Sequence, residues 1–338
     1  MQLLVNGETY DWAGAPQRAT LAALLAARGV RPDHVAVAVR GDIVPRDRWA
    51  DTLLDEGDDV EVVRAVAGGQ GDGGQGDGDG EDALVIAGRT LTSRLFLGTG
   101  KYPSLAVARA AIAASETELV TVAIRYMDFG DEGAGGSILD EVDRSRVNLL
   151  PNTAGASTAA QAVRMANLAR AALGTNWIKV EVIGDGPTLW PDTAATVEAT
   201  RELVAQGFVV LPYTSPDPVV AMRLEEAGAA TVMPLASPIG SGQGVRDWEG
   251  IARIVARAHV PVVVDAGIGA PSDAALAMEL GAAAILCNTA VARAGDPVRM
   301  AAAMRLAVMA GRMAHRAGRI PRSAEASPSS PTLGVVRG

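Results

Sequence analysis

Hydrophobic positions divide the chain into two unequal parts joined by a stretch that has none. Beyond residue 83, short apolar runs rich in Val, Ile and Leu alternate with longer segments of helical period. The runs at 94–97, 119–124, 147–150, 177–183, 208–212, 230–234, 261–265 and 283–287 read as buried strands, being brief and bounded by Gly, Pro or Asp. Helical periodicity covers 103–115, 157–173, 192–206, 217–227, 246–258, 271–280 and 297–317. Asp296-Pro297 supplies a cap and an N1 proline, while Gly228 and Gly281 stop their helices. The second crossover, near residues 137–142, has the least regular pattern. Eight such repeats predict a (β/α)8 TIM barrel, with a doubly wound open sheet as the alternative.

The first 69 residues have a different rhythm. Residues 1–5 and 8–12 flank Asn6-Gly7, a hairpin signal. Thr20 to Arg28 predicts a short helix with a Leu/Ala face, stopped by Gly29. Val35-Ala-Val-Ala-Val39 and Val60-Glu-Val-Val63 predict two further strands. The sum is a small α+β unit ending in Arg64-Ala-Val-Ala-Gly-Gly69. Residues 70–82 consist only of Gly, Gln, Asp and Glu and cannot build a core. The predicted organisation is therefore a head at 1–69, a flexible linker at 70–82, a barrel at 83–322 and a tail at 323–338.

Charge sharpens this division. The net charge is −9, but residues 1–69 carry 7 basic against 11 acidic residues and residues 70–82 carry five acids and no base, leaving the remainder balanced at 23 of each. An acidic head on a neutral body argues against nucleic acid and for a basic docking partner. No apolar run reaches membrane-spanning length and the chain opens on a polar turn, so neither a membrane segment nor a leader is expected. One cysteine, Cys287, excludes an internal disulfide framework and fits a reducing cytoplasm. With three scattered histidines it also argues against a zinc site.

Within Trp177-Ile-Lys-Val-Glu-Val-Ile-Gly184, Lys179 and Glu181 are two apart and share one strand face, with Val180 and Val182 on the other. Burying a lysine is costly unless it is paired or used. The pair reads either as a structural ion pair or as an amine nucleophile with a carboxylate for proton transfer. Asp265 ends the apolar run Val262-Val-Val-Asp265, as a turn carboxylate or as a second acid/base. Small residues follow several strands: Gly98-Thr-Gly-Lys-Tyr102, Pro151-Asn-Thr-Ala-Gly155, Pro238-Ile-Gly-Ser-Gly-Gln-Gly244, Asp265-Ala-Gly-Ile-Gly269 and Asn288-Thr-Ala290. Tight turns need such residues too. Gly240, Gly242 and Gly244 would let backbone N–H groups converge on a phosphate in loops where this fold commonly binds one. Cys287 reads as a small buried hydrophobe.

Two resemblances follow from these motifs. The opening Leu-Leu-Val-Asn-Gly-Glu, the run Asp55-Glu-Gly-Asp-Asp-Val-Glu-Val-Val63 and the terminal Gly68-Gly69 resemble the ubiquitin-like sulfur carriers of thiamine biosynthesis, which implies a β-grasp fold and a diglycine tail that is adenylated and carries sulfur. Residues 83 to 331 resemble thiazole synthase, on Leu97-Gly-Thr-Gly-Lys-Tyr102, Leu150-Pro-Asn-Thr-Ala-Gly155, Ile178-Lys-Val-Glu-Val-Ile-Gly-Asp185, Pro238-Ile-Gly-Ser-Gly, Val264-Asp-Ala-Gly-Ile-Gly269, Asn288-Thr-Ala290 and the tail motifs around Ala310-Gly-Arg, Ala317-Gly-Arg-Ile-Pro321 and Ser329-Ser-Pro331. Two positions depart from that family's pattern: Ala156 stands where a cysteine is frequent, and Tyr126 follows Arg125 where a basic pair is usual.

The resemblance implies a sulfur-transferring thiazole synthase. It would condense 1-deoxy-D-xylulose 5-phosphate, dehydroglycine and a carrier thiocarboxylate, with no cofactor or metal. Lys179 becomes the Schiff-base lysine, Glu181 and Asp265 the acid/base carboxylates, and Gly240, Ala266, Gly267, Asn288 and Thr289 the sugar-phosphate contacts. A ThiF-like adenylyltransferase partner and a homotetramer are implied with it. The rivals are a Schiff-base aldolase acting on a sugar phosphate, which has no use for residues 1–69, and a non-catalytic sulfur-carrier platform.

Overall fold

The computed structural model describes residues 1–13, 19–32, 35–65, 82–126, 142–327 and 329. Gly68, Gly69, residues 70–81 and all but the last residue of the 137–142 crossover lie outside them.

The head begins with the expected hairpin, β1 (Gln2–Val5) against β2 (Glu8–Asp11). Asn6 and Gly7 have φ of 51° and 82°, the paired left-handed residues of a type I′ turn. Helix α1 (Leu21–Ala27) starts where the Thr20 hydroxyl accepts the Ala23 N–H, and Gly29 follows its end at φ 66°. Strands β3 (Val35–Val39), β4 (Asp42–Val44) and β5 (Asp59–Ala65) complete the sheet in the order β2-β1-β5-β3-β4, with β1 and β5 parallel at its centre. This is the β-grasp arrangement. Strand β4 has no counterpart in the sequence pattern. Its three residues are too few for a period and are held by pairing with β3 across the Arg40-Gly41 turn.

The larger unit opens with a second unpredicted hairpin, β6 (Leu84–Ile86) and β7 (Arg89–Leu91). Its Leu84, Ile86 and Leu91 are buried among Phe96, Leu119, Leu150 and Trp177, so it plugs the amino-terminal end of the barrel. The barrel strands are β8 (Leu95–Gly98), β9 (Leu119–Tyr126), β10 (Asn148–Asn152), β11 (Trp177–Val180), then, beyond the small hairpin β12–β13 (Ile183–Asp185 and Trp190–Pro191), β14 (Val209–Thr214), β15 (Met233–Pro234), β16 (Val263–Asp265) and β17 (Ala284–Cys287). All eight are parallel, and β17 pairs with β8 to complete the circuit. The β15–β16 seam is held by two bridges, Val232 to Val262 and Leu235 to Asp265.

Helices α2 (Leu105–Ser115), α3 (Ala159–Leu173), α4 (Thr193–Ala205), α5 (Pro218–Glu226), α6 (Trp248–Val255), α7 (Pro271–Glu279), the one-turn α8 (Thr289–Ala292) and α9 (Pro297–Ala317) cover the outside. Ser104, Thr158, Asp192, Asp217, Asp247 and Asp296 each accept a backbone N–H at a helix start, contributing about 1 kcal/mol apiece. No helix among the described residues is long and apolar enough to cross a membrane.

Side-chain alternation sorts the strands into two faces. Leu97, Val120, Ile178, Val180, Val210 and Ile285 join the helix residues in one cluster; Phe96, Leu119, Leu150, Leu211, Met233 and Val263 form the lumen cluster with the plug. The expected fourth strand differs in extent. Its pairing ends at Val180, and residues 183–185 turn into β12 because they pair with Trp190 and Pro191 instead of a barrel neighbour. Asp82, the last residue of the acidic stretch, is tied down: it faces Arg94 at 3.1 Å, Arg312 at 2.5 Å and Arg316 at 3.4 Å.

Candidate active site

Ile178, Val180 and Val182 pack outward, so alternation turns Lys179 and Glu181 into the lumen at the carboxyl end of β11. Asp265, following Val263 on β16, enters the same space from across the barrel. The Lys179 Nζ lies 2.5 Å from Asp265 Oδ2 and 3.1 Å from Glu181 Oε1, and all three residues are buried. The two sequence alternatives for Lys179 thus meet in one place: it is ion-paired, and it sits where barrel chemistry is done.

The electrostatics of the triad follow from burial and the excess of negative charge. Burial disfavours the Lys179 ammonium, but Asp265 and then Glu181 outweigh it and hold the amine above its ordinary range. Burial pushes the Asp265 carboxyl up; Lys179 opposes this, and the nearby Glu181 charge adds to it. Asp265 is therefore a carboxylate with raised proton affinity in direct contact with the ammonium.

Two residues that sequence reasoning did not single out complete the setting. The Tyr213 ring lies 5.6 Å from Lys179 Nζ, fully buried, with its hydroxyl 3.4 Å from the Leu189 carbonyl in the turn of the β12–β13 hairpin. Burial, Asp265 and Glu181 all raise its phenol, so it stays neutral. Position 213 is two beyond the lumen residue Leu211, and the period of two could have found it. Thr153, in the loop after β10, accepts the Glu181 N–H and donates to the Glu181 carbonyl, both at 2.8 Å. It fixes the backbone that carries the carboxylate.

The small-residue loops converge. Gly240 has φ 74°, and a Cβ there would stand 3.6 Å from Thr289 Oγ1, bringing loops 6 and 8 together. Gly244 donates to the Gly267 carbonyl at 2.9 Å, and a Cβ on Gly242 would lie 3.8 Å from Gly269 Cα. At Gly267 a side chain would collide with Ser237, at 1.9 Å from its hydroxyl. Ala266 itself takes φ 62°, unusual for a non-glycine residue. Asn288 fills the space above Gly98, where a Cβ would come within 2.5 Å of it, and its buried Oδ1 has no hydrogen-bond partner among the described residues. The residues expected to contact a phosphate therefore line one continuous rim that begins at Asp265.

Other expectations resolve around this rim. Cys287 faces the helix layer, with burial pushing its thiol up to about 12, as befits a small buried hydrophobe. Ala156 is buried in the same outer cluster. Arg125 and Tyr126 belong to β9 by their backbone, and their side chains lie outside what is described. The diglycine at Gly68-Gly69 does so entirely.

Comparison with known proteins identifies both units of the chain. Residues 85–331 match the family model "Thiazole biosynthesis protein ThiG", and residues 3–69 match that of the "ThiS family". A thiazole synthase of Methylobacterium sp. (strain 4-46) is 59% identical over 258 residues, which is 76% of this chain and 96% of the relative. One from Paramagnetospirillum magneticum (strain ATCC 700264 / AMB-1) is 44% identical over 336 residues, spanning 99% of this chain and all of the relative, head included. Among solved structures, the crystal structure of the Amycolatopsis orientalis BexX/CysO complex aligns with a TM-score of 0.64 at 36% identity, covering 72% of this chain and 98% of that one. With the barrel, the head and the lysine triad in place, the chain belongs to the ThiG family of thiazole biosynthesis proteins and carries a ThiS-family domain at its amino end.

Proposed function

We propose a Schiff-base mechanism for this chain, which its family makes an enzyme of the sulfur-transferring thiazole synthase class. The reading is that 1-deoxy-D-xylulose 5-phosphate, dehydroglycine and the thiocarboxylate of a sulfur carrier are condensed to the thiazole phosphate carboxylate. The observation that carries it is the buried Lys179 held between Asp265 and Glu181 at the lumen mouth.

The amine enters the reaction as an ammonium and must lose a proton before it attacks the ketone. Asp265, raised and in contact, accepts that proton and returns it to the hydroxyl that leaves as water. The resulting iminium carries its positive charge at the nitrogen, where the carboxylates and the Tyr213 ring already stabilise a cation. A carboxylate of the pair, Glu181 or Asp265, then removes and redelivers a carbon-bound proton, so that the carbonyl moves along the sugar chain. The thiocarboxylate sulfur adds to that carbonyl, the acyl group passes to the displaced oxygen so that the carrier leaves as its carboxylate, and condensation with dehydroglycine closes the ring with loss of water.

The rim formed by Gly240, Gly242, Ala266, Gly267, Asn288 and Thr289 supports phosphate binding by backbone N–H groups. In this reading residues 1–69 are the carrier with Gly68 and Gly69 as its tail, 70–82 join it to the barrel at 83–322, and 323–338 form a tail. A ThiF-like adenylyltransferase charges the carrier, and the protein works in the cytoplasm as a homotetramer. An aldolase reading leaves the head unused, and a scaffold reading leaves the triad unused. The test is incubation with 1-deoxy-D-xylulose 5-phosphate and borohydride, followed by peptide mass spectrometry. Label on Lys179 is expected, and its absence under saturating substrate would overturn the mechanism.

A further inference from the structure

The head and barrel share one sheet. Strand β9 runs three residues beyond the part the barrel uses: residues 119–123 pair with β10, and Ile124, Arg125 and Tyr126 pair antiparallel with Ala65, Arg64 and Val63 of β5. The alternation of Val35-Ala-Val-Ala-Val39 has a matching role. Val35, Val37 and Val39 fill the core of the head, whereas Ala36 and Ala38 turn outward and are buried in the cluster that includes Ala159, Ala162, Val163 and Ala166 of α3. Alanines on that face let a helix approach the sheet closely. Glu61, 8% exposed, forms an ion pair with Arg164 of the same helix. A buried charge is retained only where it is paired.

We infer that the head is seated on its own barrel, so that each site is served by its own chain and a separate β-grasp carrier is excluded. The extended β9 edge and the α3 face are the surface such a carrier would need, and both are covered. Chain length permits the arrangement in cis. Ala65 leaves β5 beside Ile124 at the carboxyl end of the barrel, and Asp82 is anchored beside Arg94 just before β8, at the amino end. Strand β9, eight residues from Leu119 to Tyr126, spans about 25 Å at ~3.3 Å per residue, and the sixteen residues 66–81 can reach about 50 Å. Cutting the connection would then leave the head in place. The inference builds on the reading of the head as sulfur donor, but its test does not use catalysis.

Directly paired strand residues have Cα separations within disulfide range, so an Arg64→Cys/Arg125→Cys double variant should oxidise across the joint. The native Cys287 is buried and does not compete. Equal amounts of ¹⁴N- and ¹⁵N-labelled full-length variant are mixed before oxidation, and the disulfide-linked peptides are weighed. Same-isotope pairs alone are expected; mixed pairs approaching half of the total would show that heads exchange between chains and overturn the inference. Arg164→Glu in this background should reduce the yield at least twofold, and adding Glu61→Arg should restore it. A free ThiS-family carrier, ¹⁵N-labelled and added to the unmodified chain, should keep the sharp resonances of an unbound protein. Broadening at equimolar ratio would equally refute the exclusion. Failure of imine trapping at Lys179 would leave these readouts unchanged, which separates the two readings.

Discussion

Lys179 Nζ and Asp265 Oδ2 stand 2.5 Å apart across the barrel lumen, joining strands that are distant in sequence. This contact makes the amine and the carboxylate one unit, and the predictions for the proposed mechanism follow from it.

The chain contains two lysines, Lys101 and Lys179, and Lys101 is exposed in the loop after β8. Lys179→Arg keeps a cation between the carboxylates but removes a usable nucleophile. Borohydride trapping with the pentulose phosphate should fall to background while the fold persists by circular dichroism. Label appearing at Lys101 would reassign the imine.

Asp265→Asn removes the closer negative charge and leaves the cost of burial. The Lys179 amine should then titrate lower, because what held it above its ordinary range was chiefly Asp265. The pH midpoint of imine trapping is expected to move down by more than about one unit. Turnover should fall as well, since the proton acceptor is lost. A midpoint that moves up would contradict the electrostatic account.

Tyr213 is tested by separating its ring from its hydroxyl. If the π face stabilises the cation, Tyr213→Phe leaves the trapping midpoint unchanged. Tyr213→Leu lowers it by about one unit, the worth of a desolvated cation–π contact. Equal shifts in both variants would instead assign the effect to the hydroxyl and its contact with Leu189.

Gly240→Val places a branched side chain at φ 74°, with its Cβ 3.6 Å from Thr289 Oγ1. Calorimetric affinity for the sugar phosphate should drop about tenfold or more, equivalent to ~1.4 kcal/mol. The amide spectrum of the head should remain as it was. Unchanged affinity would move the phosphate away from loops 6 and 8.

The junction at Gly69-Gln70 carries a chemical constraint. Adenylation and sulfur loading require a free carboxylate, and here Gly69 is acylated to Gln70. Proteolysis after Gly69, within a glycine-rich stretch that cannot build a core, would supply one. Intact-mass analysis of protein from its native host should reveal a fragment ending at Gly69. One oxygen-to-sulfur exchange should follow incubation with the adenylating enzyme and a sulfur source. Full-length chain as the sole species in thiazole-producing cells would exclude this route.

Much of this protein was set by local pattern. Period-two alternation placed Lys179 and Glu181 on one face, Val180 and Val182 on the other, and spaced eight strands for a barrel, because side-chain direction along a strand depends on residue number alone. Asn6-Gly7 fixed its own turn, since few other pairs adopt two left-handed residues. Tertiary structure decided the rest. Asp265 read as a turn carboxylate or as a second acid/base, and only barrel closure set it against Lys179. The plug hairpin at 84–91 and strand β4 are too short to show a period and exist through what they pair with or bury. The alanines at 36 and 38 gained their meaning from helix α3, which lies far along the chain. Such contacts join segments whose separation carries no local signature, so only folding brings them together.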